Sequence, residues 1–178
     1  YYGNQLSFGT VYNFDRELRP KLFKRLRTFQ YEDPIHEIVR TMPVIYDSDI
    51  EITHKPHESH AQRDLTAFRR LTEKGNISDR LLSMYARELY LSGTEEDLLL
   101  SEDYFTERVD SGELDLDHLK EAVCVIVRAA RLRGDYLKMY RYAMKDIASE
   151  GVSEVCCELG NYYEETGLLT EAIVWYYN

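Results

Sequence analysis

The stretch VSEVCCELGNYYEETGLLTEAIVWYYN, residues 152–178, decides how most of this chain folds. Its period is helical on both sides of Gly167, and a glycine is typical of a tight turn that follows a helix. The stretch therefore predicts two helices in a hairpin. The second helix reaches Asn178 inside an apolar, aromatic run, and the chain starts at Tyr1 without an initiator methionine. We therefore expect it to be a piece of a longer protein.

The helical pattern extends back from this hairpin to residue 59. Over residues 59–75, Leu65, Phe68 and Leu71 recur at helical spacing, and Gly75 is suited to end the helix. Further helices, with N-caps where the sequence offers one, are predicted over residues 78–93 (Ser78 or Asp79), 94–109 (Thr94), 115–134 and 135–151. The helices come in pairs, with a glycine at the tight turn inside each pair.

The pairs also repeat along the chain. The turn glycines Gly93, Gly134 and Gly167 are 41 and 33 residues apart, close to the roughly 34 residues of a tetratricopeptide (TPR) unit. The last unit resembles that family, whose Leu-Gly, Tyr, Gly, Ala and aromatic positions it matches at Leu159, Gly160, Tyr163, Gly167, Ala172 and Tyr176. The middle unit matches the family pattern less closely, with Val127 and Ala130 at the corresponding positions. The resemblance implies small residues where helices cross, aromatic residues between repeats, and a solenoid with a concave surface.

Charge and composition restrict the possible partners. Residues 61–178 carry 14 Lys and Arg against 23 Asp and Glu, and so hold nearly all of the net charge of −10. Such an acidic surface repels nucleic acid and anionic lipid, and no apolar run approaches the roughly 20 residues of a membrane span. The chain has 15 tyrosines, which we interpret as residues that pack between helices while their hydroxyls reach water. The alternative interpretation is that they line a groove in which a ligand stacks.

The three cysteines, Cys124, Cys156 and Cys157, are an odd number without metal-ligand spacing. We interpret them as reduced thiols in the core of a cytoplasmic protein, since disulfides are rare in that compartment.

Residues 1–55 have the pattern of strands and loops. Strands are predicted within residues 7–14, 21–31 and 43–54, the last around the turn-prone Asp47-Ser48-Asp49. These strands are too few to close a domain, so we expect them to be the last strands of a larger sheet. The segment RELRPKLFKRLR, residues 16–27, is strongly basic and faces either a phosphate or, as a charged strand edge, the solvent.

Three segments of this part together resemble the C-terminal part of the catalytic domain in bacterial family 2-like (GT-A type) glycosyltransferases: RPKLFKR (19–25), FQYEDPIHEIV (29–39) and DSDIEITHKPHESHAQRD (47–64). In that group an Arg-Pro-x-Leu-Phe-Lys segment precedes an aromatic residue, an Ile-His-Glu and a strand that ends in His. A helix then leads into C-terminal TPR repeats. The resemblance implies inverting transfer of a sugar from a nucleotide-sugar donor to an acceptor hydroxyl. A base deprotonates that hydroxyl, while a divalent metal (Mn or Mg) and basic groups stabilise the leaving diphosphate.

The resemblance also implies roles for single residues. His36 is expected to approach the metal or the diphosphate, and Glu37 to orient the loop; a purely structural role of His36 is the alternative. Three basic residues are expected to face the diphosphate: Arg19, Lys21 and Lys24. The nucleotide-sugar-binding half of the family is not among these residues, and neither is its metal-binding Asp-x-Asp motif. Asp47-Ser48-Asp49 has the letters of that motif but lies in a late turn, where the family does not place it. By itself the fragment is therefore expected to be inactive and to hold no cofactor.

The segment ITHKPHESH, residues 52–60, contains three of the five histidines. Pro56 would break a helix there, and on a strand His54 and His57 would point to opposite faces, so the three form no ready-made chelate. We interpret His54 as a hinge between sheet and helix, or else as a ligand. His57 and His60 are interpreted as solvated residues at a helix entry. A zinc site of all three is disfavoured, because zinc prefers closed tetrahedral ligand sets with supporting partners.

We therefore predict a mainly α fold in three parts. Residues 1–58 are a short β remnant of a glycosyltransferase sheet, residues 59–77 a connecting helix, and residues 78–178 a TPR-like helical-hairpin solenoid whose last repeat is truncated. The chain is either the C-terminal fragment of a glycosyltransferase, whose repeats bind the acceptor or a partner, or a non-catalytic TPR-type module that binds a protein or peptide. An Asp-x-Asp motif upstream of Tyr1 would favour the first, and further helix pairs the second.

Overall fold

The computed structural model describes residues 2–5, 12–15, 22–23, 28–40, 46–50, 61–149 and 151–178. The chain divides into two compact units, residues 1–59 and 60–178. The division lies where the sequence changes from a strand-like to a helical period.

Two short antiparallel hairpins are the regular structure described in the first unit. Their strands pair in chain order as β1 (Tyr2–Gln5) with β2 (Tyr12–Asp15) and β3 (Gln30–Glu32) with β4 (Ile38–Arg40). In the second hairpin, Tyr31 lies opposite Val39, and Arg40 Nε lies 3.3 Å from Glu32 Oε1. The residues of β3 are all exposed, and in β4 only Val39 is half-buried.

The predicted strands are wrong at two places in this unit. Leu22 and Phe23 have no regular structure, and within residues 28–31 the strand begins only at Gln30. Asp47, Ser48 and Asp49 are irregular, in agreement with the predicted turn. Tyr46 and Ile50, predicted as strand residues on either side of it, are irregular as well and are 93% and 66% exposed. An alternating pattern becomes a strand only where a neighbouring strand completes its hydrogen bonds and packs against its side chains. Residues 46–50 have no such neighbour in the described part of the chain.

Seven helices occupy the described residues of the second unit. They are α1 (Ala61–Thr72), α2 (Asp79–Ser92), α3 (Glu95–Asp110), α4 (Leu116–Arg133), α5 (Tyr136–Ile147), α6 (Ser153–Glu165) and α7 (Leu169–Tyr177). Each corresponds to one of the helices predicted from the sequence. The chain is therefore mainly α, as predicted. No helix in the described residues is both long and apolar enough to cross a membrane.

Side-chain caps determine where four of the helices begin, α2 to α5. Ser78, rather than Asp79, caps α2, because its hydroxyl accepts a hydrogen bond from the backbone N–H of Leu81. Thr94 caps α3 in a capping box: Thr94 Oγ1 accepts from the N–H of Asp97, and the Asp97 carboxylate accepts from the N–H of Thr94 at 3.0 Å. A cap of this type stabilises a helix by about 1 kcal/mol.

Glycines at the turns meet two different requirements. Gly134 follows α4 with φ 77°, in the left-handed region that a side chain disfavours. Gly93 follows α2 with φ −70°, and there the requirement is space, since a Cβ would lie 2.5 Å from the carbonyl oxygen of Leu89.

Helix α4 is the centre of the second unit. It packs against α2, α3, α5 and α6, and its residues 122–127 are all buried. A helical segment that is apolar on every side is stable only when neighbours surround it, and residues 122–127 of α4 occupy such a position. Aromatic packing connects α1, α2 and α3. The ring centroid of Tyr85 on α2 lies 5.0 Å from that of Phe68 on α1 and 5.4 Å from that of Phe105 on α3. Because α4 packs against both α2 and α6, these three helices lie side by side in the order α2, α4, α6.

Candidate functional site

A surface groove lies between α2, α4 and the start of α6. It has a volume of about 540 Å³, within the range of sites that hold a ligand or a peptide side chain. Residues from all three elements line it, among them Arg87, Leu91, Lys120, Glu121, Val152 and Glu154. The groove therefore depends on the side-by-side arrangement of these three helices.

The rim of the groove combines apolar and charged groups that face water. Leu91 is 76% exposed, although it is a large apolar side chain. Across the gap between α2 and α4, Arg87 Nη2 lies 3.5 Å from Glu121 Oε1, and these side chains are 70% and 34% exposed. An exposed ion pair contributes less than about 1 kcal/mol, so a ligand can open it at little cost.

A buried ionic network at Glu158 ties the three helices of the groove together. Glu158 on α6 is 4% exposed. Its Oε1 accepts from the Tyr90 hydroxyl of α2 at 3.0 Å, and its Oε2 accepts from Arg131 Nε of α4 at 2.7 Å. Arg128 Nε lies 3.7 Å from Oε1, and its guanidinium lies 4.8 Å from the centroid of the Tyr90 ring. Burial and the Glu158 charge raise the pKa of Tyr90, so its hydroxyl keeps the proton that it donates.

The thiol of Cys124 lines the groove in an environment that opposes ionisation. Burial raises its pKa, and the charges of Glu154 and Asp146 raise it further. Because the thiolate is the reactive form of cysteine, this thiol is suited to packing rather than to covalent catalysis. Cys156 is buried as predicted, whereas Cys157 is exposed, so the expectation of three core thiols is wrong for that residue.

The groove residues were not identified from the sequence, although the sequence contains a signal for them. Arg87, Glu121 and Glu154 are 34 and 33 residues apart, and Tyr90 and Cys124 are likewise 34 apart. These intervals are close to the repeat length. Residues at equivalent positions of successive repeats lie on one surface when the repeats stack. Comparing equivalent positions, rather than searching for local motifs, would have brought the groove residues together.

The residues that carry the TPR resemblance lie at the contact between α6 and α7. Leu159, Gly160 and Ala172 are buried, Tyr163 is half-buried, and Gly167 follows α6 with φ 79°. Gly160 lies against the ring of Tyr176, because a Cβ on Gly160 would be 2.6 Å from Tyr176 Cδ1. The Tyr176 hydroxyl donates to Asn161 Oδ1 at 2.7 Å or to Glu164 Oε2 at 2.8 Å, which holds the ring in place.

Gly160→Leu is expected to lower the free energy of unfolding by roughly 1–3 kcal/mol or more, since it overpacks this contact. Thermal or urea unfolding of the chain measures the loss. In a Tyr176→Ala background the same substitution should cost distinctly less, because the ring that it meets is gone. An unchanged melting temperature for Gly160→Leu, or an equal loss in both backgrounds, would mean that the two residues do not pack as described.

His36 and Glu37 lie in the exposed turn that leads from β3 into β4. His36 has φ 47°, and Asp33 in the same turn has φ 67°. The left-handed region is uncommon for residues other than glycine, although histidine and aspartate are enriched among the exceptions. Both His36 and Glu37 are exposed, so the structure brings the imidazole and the carboxylate to the surface of this hairpin.

Other predicted site residues lie outside the described residues, namely Arg19, Lys21, Lys24, His54, His57 and His60. Asp47, Ser48 and Asp49 are described and exposed, and the Ser48 hydroxyl accepts from the N–H of Ile50 at 3.4 Å. Among the residues that the structure describes, no three His, Cys, Asp or Glu side chains come together in a group that could hold a metal ion. The described residues alone therefore do not form a ligand set for the divalent metal that the glycosyltransferase resemblance implies.

No family model, no curated protein and no solved structure matches this chain. The geometry of the described residues is therefore the basis on which a function is proposed. That geometry offers one preformed groove with a non-reactive thiol, exposed charges and an exposed leucine at its rim. Exposed charges and an exposed apolar side chain are groups that a ligand can contact.

Proposed function

We propose that the helical unit is a TPR-like solenoid that acts as a protein-interaction module and binds a peptide segment in the groove between α2, α4 and α6. The groove itself is the observation that carries this proposal. The helices that line it begin successive hairpins, and in stacked repeats such helices form one extended binding surface.

The packing beneath the groove supports a preformed binding site. The network at Glu158 connects all three helices through buried hydrogen bonds, so the groove keeps its width in the absence of a ligand. A preformed site loses less conformational entropy on binding, which favours affinity. The exposed Leu91 offers an apolar contact for a partner side chain.

Leu91→Glu is expected to weaken peptide binding by about tenfold or more, since it replaces an apolar contact of the groove with a charge. Peptides selected on the unmodified chain from a phage-displayed random library would be titrated by calorimetry against both forms. Leu137→Glu is the matched control: Leu137 is 85% exposed on α5 and does not line the groove. If no selected peptide distinguishes Leu91→Glu from Leu137→Glu, the groove is not the binding surface.

A second candidate function, the C-terminal part of a glycosyltransferase, concerns the first unit. One observation favours it: His36, a non-glycine residue, stands at φ 47° in an exposed turn. Backbone of this kind costs about 1–3 kcal/mol and is concentrated at functional sites. In this candidate His36 contacts the metal or the diphosphate, Glu37 orients the turn, and the repeats hold the acceptor or a protein partner. Apart from His36, the residues that bind the nucleotide-sugar and the Mn or Mg ion would lie outside those described.

A further inference from the structure

We infer that the groove takes a basic segment of a partner protein, with a lysine or arginine side chain placed beside Glu154. This inference rests on the proposed interaction function and adds the chemistry of the partner. Three carboxylates line the groove, those of Asp117, Glu121 and Glu154, against the two bases Arg87 and Lys120. The lining is thus more acidic than basic.

The carboxylates of the groove differ in how far the protein neutralises them. Glu121 already pairs with Arg87 at 3.5 Å. The Glu154 carboxylate accepts a hydrogen bond from the Ser153 hydroxyl at 3.0 Å. Within the described part of the chain, no basic side chain forms an ion pair with Glu154 or Asp117. Glu154 is also exposed, so its charge is available to a ligand.

A buried carboxyl group lies behind the groove. Asp146 is fully buried, its Oδ2 accepts from the N–H of Val152 at 2.9 Å, and its Oδ1 has no hydrogen-bond partner among the described residues. Val152 lines the groove, so Asp146 lies directly behind the wall. Burial raises the pKa of Asp146, and Lys120 acts in the opposite direction. In its ionised form this group would place a weakly screened negative charge behind the wall, and that charge would favour a cation nearby.

The field of these carboxylates reaches the floor of the groove. After burial, the causes that raise the pKa of Cys124 are the charges of Glu154, Asp146, Glu121 and Glu158. The charge of Glu158 is offset by Arg128 and Arg131, which pair with it, whereas no basic side chain of the described residues pairs with Glu154. A cation in the groove would therefore be attracted most strongly on the α6 side.

The apolar groups of the groove favour a protein segment over a free cation. Lysine and arginine carry long aliphatic stems that pack on apolar surface while the charged head stays near water. Leu91 and Val152 supply such a surface beside the carboxylates. The acidic excess of residues 61–178, 23 Asp and Glu against 14 Lys and Arg, would in addition steer a basic partner toward this unit.

Glu154→Lys is expected to weaken the peptides selected from the phage-displayed random library by about tenfold or more, the scale of a lost close charge pair at an interface. Glu96→Lys is the matched control, because Glu96 is also exposed and is also the second residue of its helix, but lies outside the groove. It should change the affinity by less than about twofold. A peptide whose lysine or arginine is replaced by glutamate should regain affinity for the Glu154→Lys form.

The outcomes separate this inference from the proposed function. Peptides that carry lysine or arginine, depend on Leu91 and lose affinity on Glu154→Lys but not on Glu96→Lys support both. Peptides that depend on Leu91 but carry no basic residue, or that bind Glu154→Lys as tightly as the unmodified chain, overturn the inference and leave the interaction function standing. Peptides whose binding does not depend on Leu91, or the absence of any selected peptide, overturn both.

Discussion

Glu158→Ala is expected to lower the free energy of unfolding of this chain by roughly 3–5 kcal/mol, the cost of breaking a buried ion pair by removing one partner. The loss is large because Glu158 is 4% exposed and Arg131, whose side chain is 10% exposed, would keep its charge with only the exposed Glu165 as an ion-pair partner. The Tyr90 hydroxyl would lose its closer acceptor at the same time and keep only the carbonyl oxygen of Glu154, 3.3 Å away. Since these residues come from three helices, we also expect the groove to lose affinity for its peptides.

Glu121→Ala is the control for this prediction. Its carboxylate pairs with Arg87, which like Tyr90 lies on α2, but the two side chains are 34% and 70% exposed. Its removal should cost less than about 1 kcal/mol, because water solvates an exposed pair well. Urea unfolding followed by circular dichroism measures both variants. Equal losses for Glu158→Ala and Glu121→Ala would contradict the role assigned to the buried network.

The helices could be predicted because their signals are local. Ser78 and Thr94 cap helices through hydrogen bonds to residues three positions ahead, and Gly134 ends one through its own backbone conformation. The apolar period within each helix depends only on residues of that helix. For this reason the predicted helices of residues 59–178 agree with the structure, although the stacking of their pairs as a TPR solenoid remains a proposal.

The first unit and the groove depend on contacts that are distant in sequence. Tyr46 and Ile50 alternate as strand residues do, yet both are largely exposed, because no neighbouring strand among the described residues completes the pattern. The groove requires Tyr90, Arg131 and Glu158 to meet from three helices. A single sequence does not specify which of its charged residues will be buried together, and only the repeat interval hints at it.

Substitutions of His36 test the glycosyltransferase candidate, because they separate the chemical role of the imidazole from the backbone conformation of its turn. In a longer chain that carries glycosyltransferase activity, His36→Ala is expected to reduce kcat by about 10²-fold or more, the scale lost when a positioned charge-stabilising group is removed. His57→Ala and His60→Ala should remain within a few-fold of the unmodified enzyme, because a solvated imidazole makes no contact that strengthens in the transition state. His54→Ala should act mainly through stability, as expected of a hinge.

His36→Asn distinguishes the chemical role of this residue from its structural alternative. Asparagine tolerates the left-handed conformation that His36 adopts at φ 47°, but it has no imidazole. If His36 contacts the metal or the diphosphate, turnover should fall with asparagine as far as with alanine, while the melting temperature stays the same. If His36 only shapes the turn, asparagine should keep both turnover and stability. Equal losses at His54, His57 and His60, with His36→Ala silent, would instead place the site in the histidine-rich segment 52–60.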